Sequence, residues 1–230
     1  MKPVILIAPD DGFNPMFQAP HTIISSDYTK CVMDAGGIPV VACDVNCAAS
    51  YLEMADGLLL TGGASDIHAG NYGQIYKDRM GGPNHPLNEL RDDTDFTLLR
   101  AFMEAGKPVF GIGRGLQVIN VVQGGSLYMD LPEETGQDHE GKNHPIQAQP
   151  DSFVAAYNGT EQVISKHHQG VKELGKDLVA CAKSPDGLVE AIAHTKLPVF
   201  AVQWHPEQSK TPADQALFAR LITLCKGGDR

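Results

Sequence analysis

Short apolar segments that alternate with helical segments limit the fold of this chain more than any other feature. Four segments have the length and composition of buried strands: residues 3–8, 38–43, 55–63 and 108–112. Apolar side chains at helical spacing lie between strands, as at Phe96, Leu99 and Phe102 before Gly106. Strands that are separated by helices of this length form a parallel sheet. The sequence therefore predicts an α/β fold with a mostly parallel central sheet and helices on both faces.

The remaining segments complete this prediction. Residues 64–86 are polar and glycine-rich without a hydrophobic period, which favours a loop, and residues 128–165 are predicted to contain antiparallel strands. Residues 186–194 and 197–207 have the composition of a closing pair of strands. Helices are predicted over residues 26–35 and 212–224. Because the chain contains no repeat and no linker, we expect residues 1–230 to form a single domain.

Charge and cysteine content exclude several classes of protein. The formal net charge of −10 argues against nucleic-acid partners and against an anionic membrane surface, since either needs clustered Lys and Arg. The first apolar run, residues 4–8, is too short for a signal peptide or a membrane span. The five cysteines are odd in number and lack paired spacing, and no His or Cys pair accompanies Cys43 and Cys47. We therefore expect a cytoplasmic protein with reduced thiols, no metal site and no cofactor.

The segment "KPVFGIGRGLQVINVVQGG" at residues 107–125 contains a buried strand, a glycine turn and the start of an apolar helix. This layout is typical of a nucleophile elbow, in which a sharp turn holds one side chain over the end of a sheet. The residue at the apex of the turn is Gly113, which has no side chain. The layout therefore predicts a catalytic turn that lacks its nucleophile.

Polar clusters follow three of the predicted strands, at residues 61–63, 113–115 and 205–207. Each cluster alone is a weak signal, because a double glycine after a strand is commonly a turn and a single histidine is commonly a surface residue. In open α/β sheets, however, ligands bind beyond the carboxyl ends of the strands. The coincidence of the three clusters therefore predicts a binding site there.

Several motifs together resemble one known family. The matching segments are "DGLLLTGGASDIHAGNYG", "RDDTDFTLLRAFMEAGKPVFGIGRGLQVINVVQGGSLYMDL", "SKHHQGV", "SPDGLVEAI" and "FAVQWHPE". Over nearly its whole length the chain resembles the class I glutamine amidotransferases, and within them the γ-glutamyl hydrolases of peptidase family C26. The "HHQ" and "SLYMDL" pieces favour this branch over amidotransferases that are bound to synthases. The resemblance implies a flavodoxin-like class I amidotransferase fold with extra antiparallel strands.

The resemblance also implies a reaction, the hydrolysis of a γ-glutamyl amide such as a γ-glutamyl-γ-aminobutyrate-like substrate by a Cys-His-Glu triad. His205 would be the general base, and Glu207 would orient it, since alternate residues of an extended strand end face the same side. The backbone N–H groups of Gly63 and Arg114 would form the oxyanion hole. The residues expected to bind the substrate are Gly62, Gln117, His167, His168 and Gln169.

Residue types alone allow simpler interpretations of two of these features. The side chain of Arg114 is also consistent with an ordinary surface cation, and the "HHQ" segment with an ordinary polar loop.

The chain departs from the family pattern at one position. Gly113 stands where the family carries its cysteine nucleophile, and the other cysteines belong to segments distant in sequence. We therefore expect the chain to be nearly inactive. The change is either an artificial knockout of an active parent or a natural pseudoenzyme that binds γ-glutamyl ligands. The retention of His205, Glu207 and Gln117 favours an active parent whose elbow apex has been emptied.

Two other functions stay open on the sequence alone, a glutaminase subunit that supplies ammonia to a synthase and a binding module without turnover. The expected partner is a small γ-glutamyl substrate, and a homodimer is left open. The leaving amine is not determined by the motifs. We expect residues 64–86 and 138–158 to select it.

Overall fold

The computed structural model describes residues 1–14, 16, 18–74, 86–158 and 162–228. The strands of the described residues are β1 (Val4–Ala8), β2 (Asp10–Asn14), β3 (Ala19–Ile23), β4 (Ile38–Val41), β5 (Gly57–Leu60), β6 (Val109–Ile112), β7 (Ser126–Tyr128), β8 (His139–Glu140), β9 (His144–Pro145), β10 (Gln147–Ala148), β11 (Gln162–Val163), β12 (Lys166–His167), β13 (Gly170–Glu173), β14 (Leu178–Lys183), β15 (Val189–His194) and β16 (Val199–Val202). The helices are α1 (Ser26–Asp34), α2 (Ala48–Met54), α3 (Glu89–Glu104), α4 (Arg114–Val122), α5 (Leu131–Thr135), α6 (Pro206–Ser209) and α7 (Pro212–Cys225).

The central sheet has eight strands in the order β4-β1-β5-β6-β16-β15-β14-β10. The five strands from β4 to β16 run parallel, and the three that follow are antiparallel. The mostly parallel sheet and the antiparallel closing pair β15–β16 confirm the predicted fold class. This order places the carboxyl ends of β5, β6 and β16 side by side, because adjacent parallel strands end at the same edge of the sheet.

Helices cover both faces of the sheet, as the sequence predicts. In β1, Ile5 and Ile7 face a core with α1 and α7, whereas Leu6 and Ala8 face a second core with α3 and α4. This alternation follows from the two-residue period of a strand. The apolar positions of α3 are buried as expected, among them Phe102, which is fully buried.

The connections differ in detail from the sequence prediction. A hairpin of β2 and β3 lies between β1 and α1. Short antiparallel pairs, β8 with β12 and β9 with β11, form in the middle segment, as expected. In the predicted loop, Ala69–Tyr72 form a turn of 3₁₀ helix, and residues 75–85 lie outside the described residues. No helix in the described parts of the chain is long and apolar enough to cross a membrane.

Candidate active site

The chain turns sharply at Gly113, between β6 and α4. Gly113 has φ 56° and ψ −110°, a conformation that residues with a side chain rarely adopt. A Cβ built on Gly113 would lie 3.5 Å from Gly62 Cα, 3.5 Å from His205 Cε1 and 3.6 Å from His205 Nε2. These are ordinary van der Waals distances, so there is room for a side chain. A side chain at Gly113 would therefore start between the backbone of Gly62 and the imidazole of His205.

His205 is held by Glu207. The Nδ1 atom of His205 lies 2.8 Å from Oε1 of Glu207, whose side chain is buried. The expected reason for this contact is wrong, because residues 206–209 form the short helix α6 and not an extended strand end. His205 precedes the first turn of α6, and Glu207 lies within that turn. With Nδ1 paired to a carboxylate, Nε2 of His205 is left to face the apex of the elbow.

Gly62 closes the other side of the apex. A Cβ on Gly62 would lie 2.8 Å from His205 Cε1, which is closer than real Cβ atoms approach, so this position needs a glycine. The backbone N–H of Gly62 donates a hydrogen bond of 3.1 Å to the hydroxyl of Tyr28. Burial and the negative charge of Glu207 raise the pKa of Tyr28 well above its ordinary value. Tyr28 is therefore a neutral phenol that fixes the loop after β5.

A cavity of about 180 Å³ lies beyond the carboxyl ends of these strands. Eight of the predicted residues line it: Gly63, Gly113, Arg114, Gln117, His167, His168, Gln169 and His205. Gly62 and Glu207 line an adjoining groove that shares Gly63 and His205 with the cavity. The predicted site residues thus border two adjacent depressions that share part of their lining, at the expected edge of the sheet.

The cavity wall also includes residues that the sequence did not single out, which are Ala64, Ser65, Asp66, Glu140, Lys166 and Gln203. Residues 64–66 and 140 do lie in the two segments that were expected to select the leaving amine. Ser65 and Asp66 closely follow a predicted strand-end cluster, and that position was an available signal. Glu140 and Lys166 are brought together by the β8–β12 pair, which has no clear sequence pattern.

The Arg114 side chain is not a surface cation, since Arg114 is only 3% exposed. Its guanidinium bonds to the carboxylates of Asp92 and Asp95, and Nε donates a 3.1 Å hydrogen bond to the carbonyl of Ser65. Arg91 joins the same network through a 2.8 Å contact with Asp95. Burial lowers the pKa of Arg114 and raises that of Asp92. This network ties α3 to the start of α4, where the predicted oxyanion-hole N–H of Arg114 lies.

The two predicted glutamines make hydrogen bonds within the protein. Nε2 of Gln117 donates to the carbonyl of Gln169 at 3.1 Å and to Oε1 of Gln203 at 3.3 Å. Oε1 of Gln169 accepts from the backbone N–H of Ile67 at 3.2 Å, and its Nε2 lies 3.5 Å from the hydroxyl of Tyr72. These bonds join the loop after β5 to the "HHQ" segment and so shape the wall of the cavity.

The two histidines of the "HHQ" segment point in different directions. Nε2 of His168 lies 2.6 Å from Oδ1 of Asp66 at the cavity. Burial by itself lowers the pKa of His168, but the hydrogen bond and charge of Asp66 outweigh it and leave the pKa raised. His167 borders the cavity, but its Nε2 lies 3.7 Å from Glu190, within a second cluster. The structure therefore separates two side chains that are adjacent in the sequence and that were expected to act together.

None of the five cysteines, all of which lie in described segments, lines the cavity. Burial raises the pKa of Cys31 and of Cys181 to about 11, and that of Cys225 to about 12. Cys43 and Cys47 are exposed and follow the edge strand β4. A buried thiol with a raised pKa is a poor nucleophile, because the thiolate is the reactive form.

Comparison with known proteins agrees with this fold. The family model described as Peptidase C26 matches residues 3–207. The chain is 38% identical over 166 residues to a provisionally named glutamine amidotransferase-like protein, YvdE of Lactococcus lactis, covering 69% of this chain and 68% of that protein. It is 30% identical over 225 residues to the gamma-glutamyl-gamma-aminobutyrate hydrolase PuuD of Escherichia coli, covering 88% of this chain and 86% of PuuD.

A solved structure shares the architecture. It is that of a Thermoplasma acidophilum protein provisionally named as a GMP synthase subunit, with a TM-score of 0.69 and 17% identity over 99% of this chain and 96% of that chain. This likeness shows the fold alone. Because the family model covers most of the chain, from β1 to the residues that carry His205 and Glu207, the chain belongs to the peptidase C26 family of glutamine amidotransferase-like hydrolases.

Proposed function

We propose that this chain binds γ-glutamyl compounds in the cavity at Gly113 and, acting as a single domain, is a γ-glutamyl hydrolase whose nucleophile position is empty. One observation carries the proposal: a Cβ on Gly113 would lie 3.6 Å from His205 Nε2, while His205 Nδ1 is paired with Glu207. A base that is oriented by a carboxylate and faces an elbow apex is the arrangement of a catalytic triad. In the chain as it stands the base has no nucleophile to deprotonate.

A cysteine at position 113 would supply the missing thiol, and the expected reaction of that variant follows from the positions of the surrounding groups. In Gly113→Cys, Nε2 of His205 would take the thiol proton, and the thiolate would attack the γ-carbonyl carbon of the substrate. The resulting oxyanion would accept hydrogen bonds from the backbone N–H groups of Gly63 and Arg114. The His205 imidazolium would then protonate the departing amine as the C–N bond breaks, leaving a thioester.

Water completes the cycle. His205 would take a proton from a water molecule, which attacks the thioester carbonyl and releases glutamate, and the thiolate recovers its proton from the imidazolium. Glu207 would keep the imidazole in the correct tautomer and stabilise its positive charge during both steps. Each proton transfer of the cycle therefore passes through Nε2 of His205.

The charges around the cavity support a γ-glutamyl ligand. Such a ligand carries an α-ammonium and an α-carboxylate beyond its reactive γ-carbonyl. The carboxylates of Asp66 and Glu140, the cation Lys166 and the imidazole of His168, whose pKa is raised, all border the cavity. Both ends of the glutamyl group therefore have a complementary charge within the same wall. His167 and Gln169 also line the cavity, and we propose that they help to bind the ligand there.

The test compares the chain with its Gly113→Cys and Gly113→Ala variants. Calorimetry with γ-glutamyl-γ-aminobutyrate, and with free γ-aminobutyrate as control, measures binding, and glutamate release measures turnover. We expect the chain and Gly113→Ala to bind without turnover and Gly113→Cys to hydrolyse. Glutamate release by the unchanged chain at about 1 per second or faster, the range of ordinary enzymes, would overturn the proposal.

Two outcomes separate the competing functions. A folded, reduced Gly113→Cys variant that binds the γ-glutamyl ligand but shows no turnover would identify a binding module. Turnover of glutamine that appears only when a synthase partner is added would identify a glutaminase subunit.

A further inference from the structure

A second polar cluster lies outside the proposed triad. It consists of His139, His144, His167 and Glu190, from β8, β9, β12 and β15, and we call it the histidine–glutamate cluster. One nitrogen of each histidine and a carboxylate oxygen of Glu190 all lie within 4.8 Å of one another. The distances to Glu190 Oε1 are 3.3 Å from His139, 3.6 Å from His144 and 3.7 Å from His167. The four side chains therefore converge on one point.

The outward-facing nitrogen of each histidine is held by a group that only accepts hydrogen bonds. His139 Nε2 lies 2.9 Å from Oδ2 of Asp186, His144 Nδ1 lies 3.0 Å from the carbonyl of Pro145, and His167 Nδ1 lies 2.9 Å from the carbonyl of Gln169. Each of these nitrogens must therefore carry the proton. In a neutral imidazole the inward nitrogen is then an unprotonated lone pair. Histidines that bind metals are oriented by the same kind of outer partner.

The inward-facing atoms lack partners. His139 Nδ1, His144 Nε2, His167 Nε2 and both carboxylate oxygens of Glu190 are buried, and none has a hydrogen bond to any described residue. Glu190 is fully buried, and His139 and His167 are less than a tenth exposed. When all three imidazoles are neutral, their inward lone pairs and the carboxylate face one another without a donor, and a cation placed between them removes the repulsion.

We propose that the histidine–glutamate cluster binds a divalent transition-metal ion, with Zn²⁺ as the best match. Imidazole nitrogens and carboxylate oxygens are both zinc ligands, and four such ligands complete a tetrahedral site. In a tetrahedral site with bonds of about 2.0–2.2 Å, neighbouring ligand atoms are about 3.3–3.6 Å apart. The distances of 3.3, 3.6 and 3.7 Å to Glu190 Oε1 are close to this geometry. Since all four ligand atoms lie within 4.8 Å of one another, no pair would need to approach by more than about 1.5 Å.

The site would be structural. Four protein ligands leave no open position for a substrate or an activated water, which is how structural zinc sites differ from catalytic ones. The ion would cross-link short strands that otherwise make few hydrogen bonds with one another. His167 directly precedes His168 and Gln169, so the ion would also hold the "HHQ" segment against the cavity. The His144 side chain is 14% exposed, which leaves a route from solvent.

The first test uses the unchanged full chain, purified without added metal or chelator. Elemental analysis should find about one zinc per chain, as expected for a structural site. After removal of zinc by a chelator, added Co²⁺ should give the intense visible absorption of a tetrahedral complex. Reloading with Zn²⁺ should raise the melting temperature, since an ion that binds only the folded state stabilises it.

Variants locate the site. His144→Ala and Glu190→Gln should lose the bound metal, and Asp186→Asn, which changes only an outer partner, should weaken zinc binding by about 10–100-fold. The double variant Cys43→Ser/Cys47→Ser is the matched control, because it removes the exposed thiols, and it should keep the full zinc content. Zinc loss in this control with retention in His144→Ala would assign the metal to the thiols.

One result overturns the proposal. If the unchanged chain contains no metal above background, gives no tetrahedral Co²⁺ spectrum and melts at the same temperature with and without Zn²⁺, the cluster is held by shared protons. These three measurements use only the unchanged chain, so they do not depend on whether any variant folds. They also do not depend on turnover or on γ-glutamyl binding, so the metal site and the proposed function can fail separately.

Discussion

His205 Nε2 lies 3.6 Å from the position that a Cβ on Gly113 would occupy. The two residues are 92 positions apart in the chain, 205 − 113, and they meet because β6 and β16 are adjacent parallel strands. The imidazole of His205 and the turn at Gly113 are therefore positioned by the central sheet. A side chain added at Gly113 would therefore be next to the imidazole of His205, so a substitution there should change both activity and stability.

Gly113→Cys should lower the melting temperature while it creates activity. At φ 56° a side chain is strained, at a cost of about 1–3 kcal/mol. Cysteine also lowers the conformational entropy of the unfolded chain relative to glycine. This effect stabilises the folded state by only about 0.4–1 kcal/mol, and only where the native backbone angles are suitable. Each net kcal/mol should lower the melting temperature by about 2–4 °C at this size. Thermal unfolding of both forms measures the difference.

Gly113→Ala is the control for this prediction, because it adds the same strain without a thiol. It should melt at a lower temperature than the unchanged chain and stay inactive. A cysteine variant that is active and more stable than the unchanged chain would refute the strained elbow and leave the nucleophile position intact.

In the Gly113→Cys background, His205→Ala should abolish formation of the acyl-enzyme, and Glu207→Gln should have a smaller effect. Loss of the base in comparable triads lowers kcat by about 10⁶-fold, and loss of the orienting carboxylate by about 10⁴-fold. Pre-steady-state release of the amine and kcat measure the two effects. His21→Ala is a suitable control, since His21 lines neither the cavity nor the adjoining groove. Full turnover by His205→Ala would refute the assignment of the base.

The pair of His168 and Asp66 should make stability depend on pH. Since the folded-state pKa of His168 is raised, its contribution is fully present below the unfolded-state value of about 6.5 and is lost as the pH rises through the folded-state pKa. The difference in unfolding free energy between the unchanged chain and His168→Gln should therefore be larger at about pH 5.5 than at about pH 9. Urea unfolding at both pH values measures it. Asp130 and Glu140 also raise the pKa of His168 and act in the same direction.

His194→Gln provides a control of opposite sign. Burial lowers the folded-state pKa of His194, so its contribution is present at high pH and is lost as the pH falls. Equal pH slopes for the two variants would mean that the contact with Asp66 does not control the titration of His168.

Asp95→Asn should be strongly destabilising. Asp95 is fully buried between Arg91 and Arg114, and removal of one charge from a buried network leaves the others uncompensated, at a cost of about 3–5 kcal/mol. Asp34→Asn is the matched control. It breaks the 2.6 Å contact between Asp34 and Lys30, whose side chains are both more than half exposed. Such a surface pair contributes about 0–1 kcal/mol to stability. If urea unfolding shows similar losses of unfolding free energy for Asp95→Asn and Asp34→Asn, the buried network contributes little to stability.

The local patterns of the sequence were sufficient for the parallel strands of the sheet, the helices α1, α3, α4 and α7, and their order, but not for the β2–β3 hairpin or the short helices α2 and α6. Strand and helix periods depend on neighbouring residues, so the buried strand β6, the turn at Gly113 and the helix α4 are all readable from one short segment. The parallel sheet follows from the alternation of strands with helices. The approach of His205 to Gly113 follows in turn, because polar clusters at the ends of parallel strands share one edge.

Side-chain direction and burial were decided only by the tertiary structure. Arg114 is an ordinary cation in the sequence, but α3 places Asp92 and Asp95 around it and buries it. His167 and His168 are adjacent, yet they face opposite clusters, since successive side chains of an extended segment alternate. The histidine–glutamate cluster has no local spacing at all. Its members come from four strands, and their convergence depends on long-range pairing, which no single segment of the chain encodes.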